Sequence, residues 1–170
     1  MCVAKVQEVE TYPGAVRLAI FGDPAKPLIQ YMECITTASI TFNLDEIVLI
    51  SLLLVEDGYL APVRENNNGT FDHGFGQINS VRRNEIEVLG FTLEELAHSP
   101  CKNIMATAYL LKQEINQADD YWTGVANYHY DVKGKYPKNH FRYKGDVFQQ
   151  YLSLVSIAQS VVNQPNIISF

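Results

Sequence analysis

The chain has 170 residues, of which 47% are hydrophobic and 19% charged, and its formal net charge is −6. This length and composition are typical of one globular domain with a sizeable core. The acidic balance argues against nucleic acid or an anionic membrane surface as the main partner.

The first 26 residues show no clean hydrophobic period, and the sequence predicts only a short strand over residues 16–21. A first helix is predicted to begin at Pro27, because proline suits the first helical position, and this helix carries Cys34.

The next predicted helix is the most hydrophobic stretch of the chain. Eight of the nine residues 47–55 are apolar, with Ser51 as the exception. A helix that is apolar on all sides is buried, and nine residues are too few to span a membrane, which takes roughly 20.

The predicted ends of this helix place Glu56 at its C-terminus. Asn43 can cap its start, and Gly58 suits its C-terminal stop. Glu56 therefore lies where a core helix reaches the surface. Apolar neighbours and the negative helix end both favour the protonated carboxyl group, as a general acid requires. An exposed glutamate at a helix end is the alternative interpretation.

Turn-forming residues dominate residues 64–74 and predict a hairpin or a loop. A short helix from Ser80 to Leu89 follows. The next helix begins with the capping-box pattern of Thr92 and Glu95.

Three more helices are predicted. One begins at Ser99-Pro100, one covers residues 119–129, and the last runs from about 143 to 161. A loop rich in Lys, Gly and Pro is predicted at 131–140, and Pro165 is expected to end the last helix.

Four ordered pieces of sequence carry a family resemblance: Glu56 after the apolar helix, NNNGTFDHGFGQINS at 66–80, PCKNI at 100–104, and Tyr128-His129. Together they resemble the lysozyme-like lytic transglycosylases, specifically the branch that serves secretion, conjugation and pilus machines. The run at 72–80 also resembles c-type lysozymes. The resemblance covers roughly residues 34–151.

The resemblance implies a mainly α (α+β) lysozyme-like fold with a small β-hairpin flanking a substrate cleft. The transglycosylase domain is expected at 27–161. An N-terminal extension specific to this protein is expected at 1–26, and a C-terminal tail at 162–170.

In such enzymes one carboxyl group, here Glu56, protonates the leaving oxygen. It then takes the proton of the muramoyl 6-hydroxyl, which attacks C1 to give a 1,6-anhydro sugar. Many relatives carry Ser after this Glu, whereas this chain has Asp57. Asp57 either favours the protonated acid further or points to solvent.

Asp72 matches the second carboxylate of c-type lysozymes, which hydrolyse the same bond with retention. The alternative is an Asx-turn residue that fixes the hairpin. Both interpretations stay open.

The expected substrate-binding residues are Gln77, Asn79, Tyr128, Tyr143, Gly74 and Gly76. The two amides would bond the glycan, the tyrosines would lie near Glu56, and the glycines would let backbone and sugar approach closely. His129 is expected to bond structure around the cleft. The four histidines lack ligand spacing, so neither a metal site nor a cofactor is expected.

The resemblance also implies a disulfide between Cys34 and Cys101, which requires an oxidising compartment. Two buried free thiols are the alternative. Cys2 is left over, either as a free thiol or as a lipid attachment site.

The expected function is peptidoglycan cleavage that opens the wall for an envelope-spanning machine. A hydrolytic muramidase that uses Glu56 and Asp72 and a non-catalytic wall-binding protein are the alternatives. The expected partners are glycan strands and components of a secretion, conjugation or pilus machine. A monomeric protein of the periplasm or envelope, with no membrane span, is expected. No signal-peptide pattern is visible near the N-terminus, so the export route is open.

Overall fold

The computed structural model describes residues 14–22, 25–60 and 62–163, which form eight α-helices and one three-stranded antiparallel sheet. The elements are α1 (Gly14–Gly22), α2 (Met32–Phe42), α3 (Glu46–Glu56), β1 (Val63–Glu65), β2 (Phe71–His73), β3 (Ile78–Asn79), α4 (Arg83–Glu87), α5 (Leu93–His98), α6 (Pro100–Gln117), α7 (Tyr121–Asn127) and α8 (Pro137–Val162). The predicted mainly α fold with a small β part is confirmed. Cys2, Pro165 and most of the predicted C-terminal tail lie outside the described residues.

Helix α3 is the centre of the core, as its uniform hydrophobicity predicts. Residues 47–53 are each at most 1% exposed, and the helix packs against α2 and α8. Its one interior polar residue, Ser51, donates a hydrogen bond to the carbonyl of Ile47 at 2.6 Å, so the buried hydroxyl is satisfied. Each large aliphatic side chain buried here contributes about 1.5–3 kcal/mol of transfer free energy.

The predicted ends of α3 are wrong by one or two residues. Asn43 has φ of +50° and ends α2, because asparagine tolerates the left-handed conformation. Asp45 caps α3 instead, and its carboxylate accepts from the backbone N–H of Ile47 at 2.8 Å. Asp57, with φ of +55°, ends the helix one residue before the predicted Gly58.

The predicted strand at residues 16–21 is also wrong, because this segment forms α1. Val16, Ile20 and Phe21 are at most 1% exposed, and their spacing places them on one helical face that packs against α8. Arg17 bonds the Thr36 hydroxyl, and its Nε lies 3.6 Å from Glu46 Oε1. The hydrophobic core therefore includes a helix from the segment predicted as an extension.

The predicted hairpin is present as β1 and β2, and β3 extends it to a three-stranded sheet. The strand order is β1-β2-β3, and Asp72 pairs with Arg64 on one side and with Asn79 on the other. Side chains paired across antiparallel strands project from the same face. Arg64, Asp72 and Asn79 thus form one row across the sheet.

The later helices follow the predicted order. The capping box of Thr92 and Glu95 is confirmed at the start of α5. Helix α8 begins at Pro137, six residues before the predicted 143, which shortens the predicted loop. None of the helices in the described ranges is both long enough and apolar enough to cross a bilayer.

The disulfide between Cys34 and Cys101 is confirmed. It joins α2 to the first turn of α6, with the two Cα atoms 5.3 Å apart. These two helices also pack against each other, so the bond reinforces an existing contact.

Candidate active site

A cleft of about 740 Å³ lies between the sheet and the helices, and we call it the main cleft. The sheet side contributes Arg64, Asp72 and Asn79, and the helical side contributes Glu56 and His129. The cleft therefore brings together the two predicted catalytic carboxyl groups, which are 16 positions apart in the chain.

Glu56 is the last residue of α3, and its side chain is only 8% exposed. The Tyr143 hydroxyl donates a hydrogen bond to Glu56 Oε1 at 2.6 Å. Burial, followed by the nearby Glu56 charge, raises the pKa of Tyr143 well above its ordinary value, so this tyrosine stays a donor. Helix α8 thus fixes one oxygen of the predicted acid.

His129 is a second neighbour of Glu56. Its Nδ1 lies 3.8 Å from Glu56 Oε1, and its ring stacks on that of Tyr143 with centroids 4.5 Å apart and planes at 10°. The adjacent Glu56 carboxyl group raises the pKa of His129, whereas partial burial opposes that shift. The imidazole thus lies against both the acid and the tyrosine that bonds it, consistent with the predicted structural role around the cleft.

Asp72 lies in the middle of β2, so it is not positioned as a turn residue. Its Oδ2 accepts from Asn66 Nδ2 at 2.9 Å, and its Oδ1 accepts from Asn79 Nδ2 at 2.7 Å. The backbone N–H of Gly74, which an Asx-turn would use, donates to Pro62 instead. Two amide donors suit an ionised carboxylate that faces the cleft.

The predicted substrate-binding amides are engaged within the protein. Asn79 donates to Asp72 and to the Thr70 hydroxyl at 3.0 Å, and its side-chain oxygen accepts from the backbone of Val81. Gln77 donates to the carbonyl of Gly74 at 2.8 Å, and its own buried Oε1 has no partner among the described residues. Asn79 therefore positions Asp72, and Gln77 fixes the turn before β3.

Gly74 and Gly76 approach protein atoms rather than the open cleft. A Cβ at Gly74, where φ is +62°, would lie 2.3 Å from Asn103 Nδ2. A Cβ at Gly76 would lie 1.9 Å from Thr107 Oγ1. Both glycines are buried, and the close contacts that the structure shows for them are with α6. Their predicted approach to a sugar stays a prediction.

Asn103 connects the sheet to the helices, a role that the sequence does not predict. Its side chain is fully buried, donates to the carbonyls of His73 and Leu96, and accepts from the N–H of Gly76 at 2.8 Å. It therefore fixes the loop between β2 and β3 against α5 and α6. The pattern at 100–104 singled out the residue, but its partners are 27 and 30 positions away and leave no local signal.

The two predicted tyrosines have different roles. Tyr143 bonds Glu56, whereas the Tyr128 hydroxyl donates to the carbonyl of Gly76 at 2.7 Å. Tyr128 is 9% exposed, and burial, with a smaller effect of Glu56, raises its pKa. Tyr128 thus joins α7 to the sheet side of the cleft.

Asp57 acts on a neighbouring tyrosine. Its carboxylate, followed by burial, raises the pKa of Tyr59 to about 12. The effect on Glu56 that one interpretation of the sequence predicts stays a prediction.

A second cavity of about 350 Å³, which we call the side pocket, adjoins the main cleft. It lies between β1 and α8 and contains Tyr143, Arg142 and Asp146. Four residues line both spaces: Glu56, Arg64, His129 and Asn139. Glu56 thus lies at the junction of a groove that continues to either side. Within the described ranges, no cluster of three His, Cys, Asp or Glu could hold a metal ion.

Comparison with known proteins gives two sets of relatives, and no family model matches the chain. Protein IpgF of Shigella flexneri is 26% identical over 131 residues, which are 76% of this chain and 86% of that protein. Invasion protein IagB of Salmonella typhimurium is 22% identical over 135 residues, covering 79% and 84%. The chain is therefore related, at low identity and over most of its length, to IpgF and to the invasion protein IagB.

Proposed function

We propose that the protein is a peptidoglycan lytic transglycosylase that cleaves the β-1,4 bond between N-acetylmuramic acid and N-acetylglucosamine. The observation that carries the proposal is the setting of Glu56. It is a nearly buried carboxyl group at the end of a core helix, bonded by Tyr143, at the junction of a long polar groove. A groove of this kind accommodates an extended sugar chain on both sides of the acid.

In this mechanism Glu56 acts twice. It first gives its proton to the glycosidic oxygen, the bond from C1 to that oxygen breaks, and N-acetylglucosamine leaves with a new hydroxyl group. The Glu56 carboxylate then takes the proton of the muramoyl 6-hydroxyl while that oxygen bonds C1. The products are a 1,6-anhydro sugar and a regenerated acid, and no water is consumed.

Asp72 favours a second candidate function, a hydrolytic muramidase. It faces the same cleft as Glu56 and receives two amide hydrogen bonds that suit the ionised form. An ionised carboxylate near a protonated one is the arrangement that retaining hydrolysis uses. In the transglycosylase, the same charge would stabilise the oxocarbenium-like centre.

The cellular setting belongs to the same proposal. We place the enzyme in the periplasm or envelope, because the disulfide requires an oxidising compartment. The similarity to a protein named for invasion supports a role in opening the wall locally for an envelope-spanning machine. The catalytic domain would extend over residues 27–161, with α1 packed against it.

The direct test is Glu56→Gln, which keeps the shape of the side chain but removes the transferable proton. Loss of general acid catalysis alone lowers turnover by about 10²–10⁴-fold, so we expect release of fragments from purified murein to be abolished. Glu87→Gln, an exposed residue of α4, is the matched control and should leave turnover unchanged.

A folded Glu56→Gln variant that keeps more than about a tenth of wild-type turnover would contradict the assignment, because that loss is smaller than general acid catalysis contributes. Circular dichroism and thermal unfolding of the variant establish that it is folded.

A further inference from the structure

Arg64 lines the groove and forms no ion pair with any carboxylate among the described residues. It lies in β1 directly opposite Asp72, on the face of the sheet that lines the main cleft. Asp72 is bonded by Asn66 and Asn79 instead. Across residues 14–22, 25–60 and 62–163, no group forms a hydrogen bond or ion pair with the Arg64 guanidinium.

Arg64 lines both the main cleft and the side pocket, as Glu56 does. A sugar chain that places its scissile bond at Glu56 must therefore pass Arg64. Substituents on the sugar next to that bond would come within reach of the guanidinium.

The side pocket adds a second cation. Arg142 contacts Asp146 with Nε and Oδ2 3.8 Å apart, and the two side chains are 86% and 57% exposed. An exposed pair of this kind contributes little, so an anionic ligand can share Arg142. The pocket thus holds two arginines, Arg64 and Arg142, beside the carboxyl groups of Glu56 and Asp146.

We propose that Arg64, supported by Arg142, binds a carboxylate carried by the glycan and makes anionic, muramic-acid-containing strands preferred over neutral chains of N-acetylglucosamine. This inference rests on the proposed glycan-cleaving function. Two sources could supply the carboxylate: the lactyl group of muramic acid, where no peptide is attached, and the acidic residues of an attached peptide. A guanidinium suits either, because its fork of N–H groups matches a carboxylate.

The test measures binding in the Glu56→Gln background, so that no ligand is consumed. Calorimetry compares three ligands: a chitin hexasaccharide, a glycan fragment freed of peptide, and a fragment that carries its peptides. Arg64→Gln removes the charge and keeps most of the stem, and Arg64→Lys keeps the charge. Arg83→Gln, an exposed arginine outside both cavities, makes the same charge change elsewhere.

We expect Arg64→Gln to raise the Kd of the anionic fragments about fivefold, the size typical of a partly exposed ion pair, and to leave the Kd of chitin within twofold. The Kd of Arg64→Lys for the anionic fragments should lie between those of the parent and of Arg64→Gln. Arg83→Gln should have the same Kd values as the parent. A defect only with the peptide-free fragment identifies the lactyl carboxylate, and a defect only with the peptide-bearing fragment identifies the peptide. A defect with both fragments shows that Arg64 binds either carboxylate. The defect should shrink at about 0.5 M salt, where exposed charges are screened.

Equal weakening for chitin and the anionic fragments, or no weakening for either, would overturn the role of Arg64. That result would leave the proposed function intact, since all the fragments would still bind. Failure of every fragment to bind the parent protein would instead contradict the proposed function itself.

Discussion

At the scale of single residues, Asp72 and Glu56 differ in the hydrogen bonds that they receive. Asp72 is held by two side-chain amides, whereas Glu56 is bonded by one tyrosine in a nearly buried site. The two carboxyl groups therefore have different hydrogen-bond partners within one cleft. Such a difference in surroundings is how a protein divides the roles of acid and charge stabiliser between two similar groups.

The role of Asp72 is tested by Asp72→Asn. If its charge stabilises the cationic transition state, turnover on murein should fall about 10²–10³-fold, the usual cost of removing one electrostatic stabiliser. The variant should remain folded, because asparagine fits the same space in β2. Asp119→Asn, an exposed residue outside both cavities, is the control. Near-wild-type turnover by folded Asp72→Asn would leave Glu56 as the sole essential carboxyl group.

His129 gives a prediction about pH and stability. The adjacent Glu56 carboxyl group raises the pKa of His129 in the folded protein. Its contribution to the free energy of unfolding is therefore fully present below the unfolded pKa, near 6.5, and is lost as pH rises through the folded pKa. Urea unfolding should show that His129→Gln costs more stability at about pH 5.5 than at about pH 8.5, on either side of that value.

Glu56→Gln provides the control for this effect. With the carboxyl group removed, the extra cost of His129→Gln at about pH 5.5 should disappear, because the partner that raised the pKa is gone and partial burial acts in the opposite direction. A larger cost at about pH 5.5 that persists in the Glu56→Gln background would show that another group carries it.

At the scale of elements, the disulfide holds α2 to the start of α6. It closes a chain segment of 67 residues that contains α3 and the whole sheet. In the chain-entropy model, a loop of that length contributes about 4 kcal/mol. We expect Cys34→Ser with Cys101→Ser to lower the free energy of unfolding by about 2–5 kcal/mol in denaturant titration.

A thiol count tests the bond itself. The unfolded, unreduced protein should react at one thiol, that of Cys2, and the reduced protein at three. Three reactive thiols before reduction would disprove the bond and remove the main support for the periplasmic assignment.

Helices and strands are predicted from the sequence where the signal lies within the segment itself. Helix α5 was predicted from its capping box, and α3 from its uniform hydrophobicity, because both signals are contained in the segment. Helix α1 was missed since its apolar residues, Val16, Ile20 and Phe21, stand in too short a stretch to reveal a period. Strand β3 was missed because it has only two residues.

At the scale of the whole molecule, the groove exists because distant elements meet. Asn103 fixes the β2–β3 loop to the helices, Tyr128 bonds the same loop from α7, and Tyr143 reaches Glu56 from 87 positions away. The sequence predicted which residues surround the cleft but not which side chain each one bonds. The contacts of Asn79, Gly74 and Gly76 within the protein had no local signal, and their predicted role toward substrate stays a prediction.

Glu56 is proposed to cleave the glycan without consuming water, and mass spectrometry of the fragments released from purified murein tests this most directly. We expect muropeptides that end in 1,6-anhydro-N-acetylmuramic acid, formed by the wild type and by the Glu87→Gln control and absent with Glu56→Gln. Release of fragments with free reducing ends, dependent on both Glu56 and Asp72, would show hydrolysis and contradict transglycosylation. No release of fragments at all by the folded, disulfide-bonded protein would contradict an enzymatic role.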